Sequence, residues 1–540
     1  MSNSFLFRDL IKDVAEKFGE KKAIGFLGEE YLSYAQVKQY VDALIAFLEE
    51  LDIVPGDKVI LFSQNMPHWC ITYLAVQNMG AIVVPVLPDF NKHELENIIK
   101  HCDAKAMFIS KSLEYKVEKD RLELMVRLDN WELLTAQNVK FNPEATPKKS
   151  YELDPEAMSV LLYTSGTTGN SKGVMLSQKN LLTNVRQGGA VYEIVPEDRA
   201  LSVLPLSHTY ENTIGFLLPL SKGASITYLR KPPTASVLQK AMQEVHPTIM
   251  MTVPMIIEKV YNKTILPKIN AKFITRTLYK FRPTQILLSR LAGKSLKASF
   301  GGELQFFGVG GAKLDAKVER FLRDAKFPLS VGYGLTETSP LLAGAAPGKG
   351  KFQAIGPTVI DCEVKIHEPD PKTGVGEIWA RGDNVMLGYF KNEEITKEVL
   401  TEDGWFKTGD LGIIDKHGVL SHKGRSKSLI VGANGENIYP EEIESLINDL
   451  DYVLESVVVE RNKRLTALVH FDKDAIEAKM KQIKEVTWQD VEAFVRDHLP
   501  KVKENVNAKV NKQSRIHDVE VHKEPFIRTA TKKIKRFLYH

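Results

Sequence analysis

Residues 58–109 read KVILFSQNMPHWCITYLAVQNMGAIVVPVLPDFNKHELENIIKHCDAKAMFI. Three short apolar runs, at 58–63, 81–86 and 104–109, alternate with helical periods at 67–79 and 93–101. Continuous apolar runs describe strands covered on both faces, and strands separated by helices pair in parallel through crossovers. The stretch predicts an α/β fold.

The same alternation returns after residue 150 in AMSVLLY, ALSVLPL, ASITYL, TIMMTVP, LQFFGVGG and PLSVGYG, with a polar, proline-containing connection over 130–155. Near 355 the texture changes to short strands with glycine turns, such as GEIWARG. After HKGR at 422–425 comes a block of its own, with a helix start at YPEEIE, strands at SVVVE and LTALVHF, and a helix at TWQDVEAFVRDHL. The predicted organisation is a large N-terminal domain over 1–424, with parallel-rich sheets covered by helices plus a β-rich subdomain. A small α+β domain over 425–540 follows.

A chain of 540 residues is too long for one compact core. Its 43% hydrophobic and 26% charged residues are ordinary for a soluble globular protein, and a net charge of +4 does not suggest nucleic-acid binding. The three cysteines, Cys70, Cys102 and Cys362, form neither a CxxC pair nor a zinc-spaced cluster. Inert thiols and a cytoplasmic location are expected. The N-terminal segment reads as an amphipathic helix, and no apolar run approaches the ~20 residues needed to span a bilayer.

The most informative motif is YTSGTTGNSKGVMLS at 163–177. It follows an apolar strand and precedes a helical pattern, so it predicts a strand–loop–helix phosphate cradle. Gly166, Gly169 and Gly173 permit positive φ and close approach, Ser165, Thr167, Thr168 and Ser171 offer hydroxyls, and Lys172 adds a cation. It is not a Walker A loop, which needs Gly before the Lys and Ser or Thr after it. A second string, GYGLTETSP at 332–340, offers Tyr333 as a stacking face, Thr336 for phosphate and Glu337 for magnesium. A third, WFKTGDLG at 405–412, sets Asp410 in a tight turn, and a fourth, GRSKSLIVGANGENIYPEEIE, opens on Gly424 and Arg425.

In this order and spacing the strings resemble the adenylate-forming superfamily of acyl-CoA synthetases, peptide-synthetase adenylation domains and luciferases. The resemblance covers nearly the whole chain and implies a mobile C-terminal domain closing over an ATP site. It implies that Thr164, Ser165, Gly166, Thr167, Thr168, Gly169 and Lys172 hold the β- and γ-phosphates. Gly310, Gly311, Ala312 and Tyr333 would frame adenine, Thr336 would contact the α-phosphate, and Glu337 the magnesium ion. Asp410 and Arg425 would bind the ribose, and Lys427 would be the hinge. The catalytic lysine, usually set in Gly-Lys-Ile, departs here as RTATKKIKRF. Lys533 is the better match, and Lys532 stands where glycine is usual. Ser171 replaces a usual proline. The implied cofactors are ATP, Mg2+ and the co-substrate CoA, with a face around 432–435 meeting the incoming thiol after the small domain rotates.

LPLSHTYENTIGFLLPL at 204–220 resembles the His-aromatic-Glu pattern of long-chain fatty acid–CoA ligases, with His208 in a positional or packing role. The acyl tail is expected near Phe307, Val331 and 208–217. Over 262–302 the chain has no acidic residue and nine basic ones, interleaved with Phe273, Leu278, Tyr279, Phe281, Ile286, Leu287, Leu288 and Leu291. Such a segment suits an anionic membrane surface, or a solvated face, or the phosphates of CoA. Medium-chain or aryl acid–CoA ligases, acyl-carrier-protein ligases and a non-catalytic acyl- or nucleotide-binding scaffold share parts of this pattern. The sequence fixes neither tail length nor oligomeric state.

Overall fold

The computed structural model describes residues 4–539 except 119–120, 136–137, 165–171, 432–436, 462–463, 482–484, 513 and 530–533. The opening stretch folds as its pattern predicts: strands Lys58–Phe62, Ile82–Val86 and Ala106–Ile109 are separated by helices Pro67–Asn78 and Lys92–Cys102. These strands lie in an eight-stranded sheet whose central five pair in parallel, flanked by antiparallel edges. Successive residues explain the unbroken apolar run. Val59 and Leu61 face inward, to the core shared with helix Pro67–Asn78, whereas Ile60 and Phe62 pack outward against Leu95, Ile98 and Ile99 of helix Lys92–Cys102.

The second eight-stranded sheet is also parallel through its centre, in the order Leu329–Gly334, Phe306–Val309, Ile249–Thr252, Arg199–Leu201, Ser225–Tyr228 and Lys22–Phe26. The two sheets and the helices between them share the largest core. Helices drawn from 235–324 cover the far face of the second sheet and make a separate core with Phe307, Val309 and Leu329.

A five-stranded antiparallel sheet follows, containing Phe406–Ile414 paired with Val419–Arg425. Beyond it, strands Val453–Arg461, Arg464–Phe471 and Asp518–Val521 pack against helices Pro440–Asn448 and Trp488–Asn507 around their own apolar cluster. Helix Pro440–Asn448 begins with proline in its first turn, where the missing N–H costs nothing.

Two local expectations fail. GVMLS does not belong to the loop: Lys172–Ser177 is a strand antiparallel to Met158–Thr164, while the helix begins at Gln178, where the pattern QKNLLTNVRQ places it. Val174 and Leu176 fill the inter-sheet core, which holds this segment extended. Gly173 is accordingly not at positive φ; a Cβ there would meet Leu161 Cδ1 at 2.9 Å. Asp410 likewise lies in a strand, directly across from Arg425, with the turn conformation displaced to Gly409 at φ +70°.

Candidate active site

Strands Phe306–Val309 and Leu329–Gly334 pair in parallel, with Val309 opposite Val331. Gly310–Gly311–Ala312, just past the first strand, and Tyr333, near the end of the second, therefore lie at the same carboxyl end of the sheet, where parallel α/β sheets bind ligands. Gly311 needs its glycine, at φ +82°. The Tyr333 hydroxyl donates to Asp410 Oδ2 at 2.9 Å, while Asp410 Oδ1 faces Arg425 Nε at 3.1 Å and His422 Nε2 at 3.8 Å.

Asp410 is buried, which by itself raises a carboxyl pKa. The neighbouring His422 ring, the Arg425 charge and the Tyr333 hydrogen bond outweigh that burial and hold it below the ordinary value. Charge alone does not fill the site: Oδ1 receives no well-aligned hydrogen bond among the described residues. A buried carboxylate oxygen with an open acceptor position fits a ligand hydroxyl.

Three residues beyond Tyr333 the chain turns through Thr336–Thr338. Glu337 Oε1 accepts from the Tyr389 hydroxyl at 2.9 Å, and its carbonyl accepts from Met386 N–H at 2.9 Å. Lys172 Nζ lies over the Tyr389 ring, 4.8 Å from its centroid. Tyr389 is held there by the short strand Gly388–Tyr389, which pairs with Val174 and Met175 of the hairpin. Thr164 and Lys172 stand opposite each other at the hairpin's end. Tyr333, Asp410 and Arg425 thus form one group, and Glu337 and Lys172 a second. The turn carrying Thr336 bridges the two.

Ser165, Gly166, Thr167, Thr168, Gly169 and Ser171 lie outside the described residues, as do Lys532, Lys533 and 432–435. Lys427 lies in the turn Ser426–Ser428, next to Arg425 and exposed. Sequence reasoning missed His422 and Tyr389. The first was visible in HKGR as the residue three before Arg425; the second carried no local signal, because its partners lie 52 and 217 positions upstream.

Beside this edge is a narrow apolar cavity of about 40 Å³, lined by Gly188, Tyr192, Tyr210, Ile214, Phe306 and Gly308 among others. Phe307 and Val331 do not line it. They face the opposite side of the sheet, whereas Phe306, Gly308, Ser330 and Gly332 face the cavity. Of the residues expected near the tail, Phe307 and Val331 therefore lie one strand position off this cavity, whereas the 208–217 segment supplies Tyr210 and Ile214 to it. His208 Nδ1 accepts from Tyr210 N–H at 3.3 Å, a contact local to its own turn.

The profile of the AMP-binding enzyme family matches residues 11–390. The chain belongs to this family. The AMP-binding enzyme is 28% identical over 489 residues to fatty acyl-CoA synthetase A of Dictyostelium discoideum, covering 82% of this chain and 70% of that protein. It is 29% identical over 482 residues to long-chain-fatty-acid–CoA ligase FadD15 of Mycobacterium bovis, covering 82% and 78%. The chloroplastic long-chain-fatty-acid–[acyl-carrier-protein] ligase AEE15 of Arabidopsis thaliana is 26% identical over 593 residues, covering 91% and 80%. Among solved structures, o-succinylbenzoate CoA synthetase of Bacillus subtilis with ATP and magnesium superposes at TM-score 0.76 with 20% identity, covering 98% of both chains. An ATP-bound RpMatB–BxBclM chimera gives 0.77 at 23% identity, covering 99% of this chain and 98% of that one.

Proposed function

We propose that this enzyme joins a long-chain fatty acid to CoA in two steps, through a fatty acyl-adenylate. The carrying observation is the pair of polar groups, Tyr333–Asp410–Arg425 and Glu337–Tyr389–Lys172, joined by the turn Thr336–Thr338 and set beside an apolar cavity. The long-chain relatives support the acid.

In the first step a carboxylate oxygen bonds to the α-phosphorus of ATP, the bond from that phosphorus to the bridging oxygen breaks, and pyrophosphate leaves. In the second, a CoA thiolate bonds to the acyl carbon, the carbonyl carbon–oxygen bond to AMP breaks, and the thiol proton passes to solvent. Most of the work is positioning and charge stabilisation. Asp410 accepts from the ribose hydroxyls, with Arg425 beside it. Gly310, Gly311, Ala312 and the Tyr333 ring frame the adenine. Thr164, Ser165, Gly166, Thr167, Thr168, Gly169 and Lys172 hold the β- and γ-phosphates, and Thr336 meets the α-phosphate.

Among the described residues no group of three or more His, Cys, Asp and Glu gathers for a metal. Magnesium needs no such cage, because it is commonly held by one or two carboxylates together with substrate phosphates. Glu337 suits that role, its Oε1 tied by Tyr389 and Oε2 outside that bond. When bound, magnesium neutralises charge on the phosphates. Lys533 supplies the catalytic cation in the first step, from a small domain over 425–540 that turns about Lys427 relative to 1–424.

Among the described residues no helix is long and apolar enough to cross a membrane. The reading includes peripheral contact with an anionic membrane through 262–302. In helices Phe273–Leu278 and Arg282–Ser299 and the turn between them, Phe273, Ile274, Leu278, Phe281, Leu287 and Leu291 are exposed. Arg282 is taken by Asp324, at 2.5 Å and 2.6 Å, leaving eight of the nine basic residues outside that pair.

The test is ATP–pyrophosphate exchange without CoA across acetate, octanoate, palmitate, oleate and benzoate. Exchange driven by palmitate or oleate is expected. Exchange confined to acetate or benzoate overturns the long-chain reading, and none with any acid overturns adenylation of this class of acid.

A further inference from the structure

Asp410 sits where its strand departs from regular pairing. Strand Phe406–Ile414 runs between Gly376–Gly382 and Val419–Arg425 in the five-stranded sheet. On the Gly376–Gly382 side, Glu377 pairs with Leu411 and Trp379 with Lys407. Ile378 alone therefore faces three residues, Thr408, Gly409 and Asp410. Extra residues in one strand bend it and re-aim its side chains. This bulge carries Asp410, and Gly409 within it takes φ +70°, a conformation that favours glycine.

Backbone pairing towards Gly376–Gly382 lapses over 408–410, and side chains take its place. Thr408 Oγ1 donates to the Ile378 carbonyl at 2.7 Å and accepts from Asp410 N–H at 3.0 Å. Gly409 is held from both sides. Its N–H donates to Glu377 Oε1 at 3.0 Å, and its carbonyl accepts from Ser426 Oγ at 3.0 Å. A glycine has more backbone freedom than any other residue, all of it in two soft dihedrals. Fixing the amide on one side of its Cα and the carbonyl on the other fixes both, and with them the direction in which the chain enters Asp410.

Glu377 is itself held from behind. Its Oε2 accepts from Trp379 Nε1 at 3.0 Å, and that indole is buried and stacked on the His367 ring, centroids 3.7 Å apart. Lys365 and Lys407 Nζ lie over the same indole, at 5.0 Å and 5.4 Å. The carboxylate thus reaches the Gly409 amide from a fixed position, and a charged acceptor makes the stronger hydrogen bond.

We infer that Glu377 is a positioning residue for nucleotide binding, acting through the Gly409 amide to aim the Asp410 carboxylate at the ribose. This rests on the reading of Asp410 as the ribose-binding group. Glu377 bonds to the backbone and to Trp379, and its effect on the nucleotide passes through the bulge alone.

The experiment compares kcat/KM for ATP with that for dideoxy-ATP, which lacks both ribose hydroxyls. It uses pyrophosphate exchange driven by the wild type's best acid, in the wild type, Asp410→Ala and Glu377→Ala. The dideoxy nucleotide offers Asp410 nothing to bind, so the preference for ATP reports the ribose contact alone. Glu377→Ala is expected to lower that preference about tenfold, the low end of what a hydrogen bond to a charged group carries. The loss should lie in the KM for ATP, with kcat and the KM for the acid within about twofold, as for binding shared by ground and transition states. A loss that strikes both nucleotides equally would make Glu377 a general support of the sheet and overturn the inference. So would a preference left intact in Glu377→Ala while Asp410→Ala abolishes it; both results leave the ribose reading standing. If Glu377→Ala does not fold, Glu377→Asp decides on the same ratio, since it keeps the charge but draws the oxygens back by one methylene. A wild type without preference for ATP removes the ribose reading and the inference with it.

Discussion

The Tyr389 hydroxyl donates to Glu337 Oε1 at 2.9 Å, and the same ring lies beneath Lys172 Nζ at 4.8 Å. One aromatic side chain therefore orients both the carboxylate proposed for magnesium and the cation proposed for phosphate. Its ring and its hydroxyl do separate jobs.

Tyr389→Phe separates them, keeping the cation–π contact and removing the hydrogen bond. A hydrogen bond to a charged group is worth about 1.5–3 kcal/mol. The expected result is a rise of roughly tenfold in the magnesium concentration needed for half-maximal exchange. An unchanged magnesium dependence would show that Glu337 is not held for the metal.

Another carboxyl, Glu211, is set apart by its burial. Burial drives the Glu211 pKa up to about 8, opposed by the hydrogen bond from Ser202 Oγ at 2.5 Å. The folded protein therefore keeps a proton that the unfolded chain releases near its ordinary value of 4.5. Stability from this site is complete below about pH 4.5 and declines as pH rises towards 8, because over that interval only the folded state binds the proton. Glu211→Gln is neutral at every pH. Thermal melts should show the variant gaining on the wild type between pH 5 and pH 8, relative to its standing at pH 4.5. A constant difference across that range would mean that Glu211 titrates normally.

Strand parity separates packing from specificity at two adjacent residues. Phe307 is fully buried in the far-side core with Phe300 and Phe327, while Phe306 meets Tyr192 at the cavity. Phe307→Ala should cost about 3–5 kcal/mol of stability, the usual range for a buried aromatic. It should leave the acyl-length profile of the exchange reaction unchanged. A shifted profile would place the tail on the other face.

The opposite facing of Phe306 and Phe307 shows where sequence reasoning stopped. Apolar runs such as KVILF reveal a strand covered on both sides, and both sides are indeed cores. A strand apolar on both faces carries no mark of which face meets ligand, because the alternation that would tell them apart is absent. Gly308 and Gly310 were the available clue, since glycine two residues apart leaves one face bare. Tyr333, Asp410 and Arg425 were legible because each sits in an unusual local string. Tyr389 was not, since its meaning arises only when the hairpin edge pairs with Gly388–Tyr389.

The basic helices yield the remaining prediction. Phe273 is 73% exposed and Phe281 61%, on a segment without acidic residues. Large exposed apolar side chains among cations match the interface of an anionic bilayer, where the rings enter the acyl boundary and the lysines meet headgroups. Tyr279, Ala292 and Leu296 pack on the far-side core, so the segment is anchored by one side while it presents the other. Contact made this way needs both terms. The wild type should co-sediment with phosphatidylserine-containing vesicles at low salt and release as salt screens the lysines. Phe273→Ser with Phe281→Ser should lose binding even at low salt, with exchange activity on dissolved octanoate unchanged, since both residues sit on the sheet face opposite the cavity. Binding that survives the double substitution but disappears with salt would reduce the contact to electrostatics alone, and no binding at low salt would remove the membrane from the proposal.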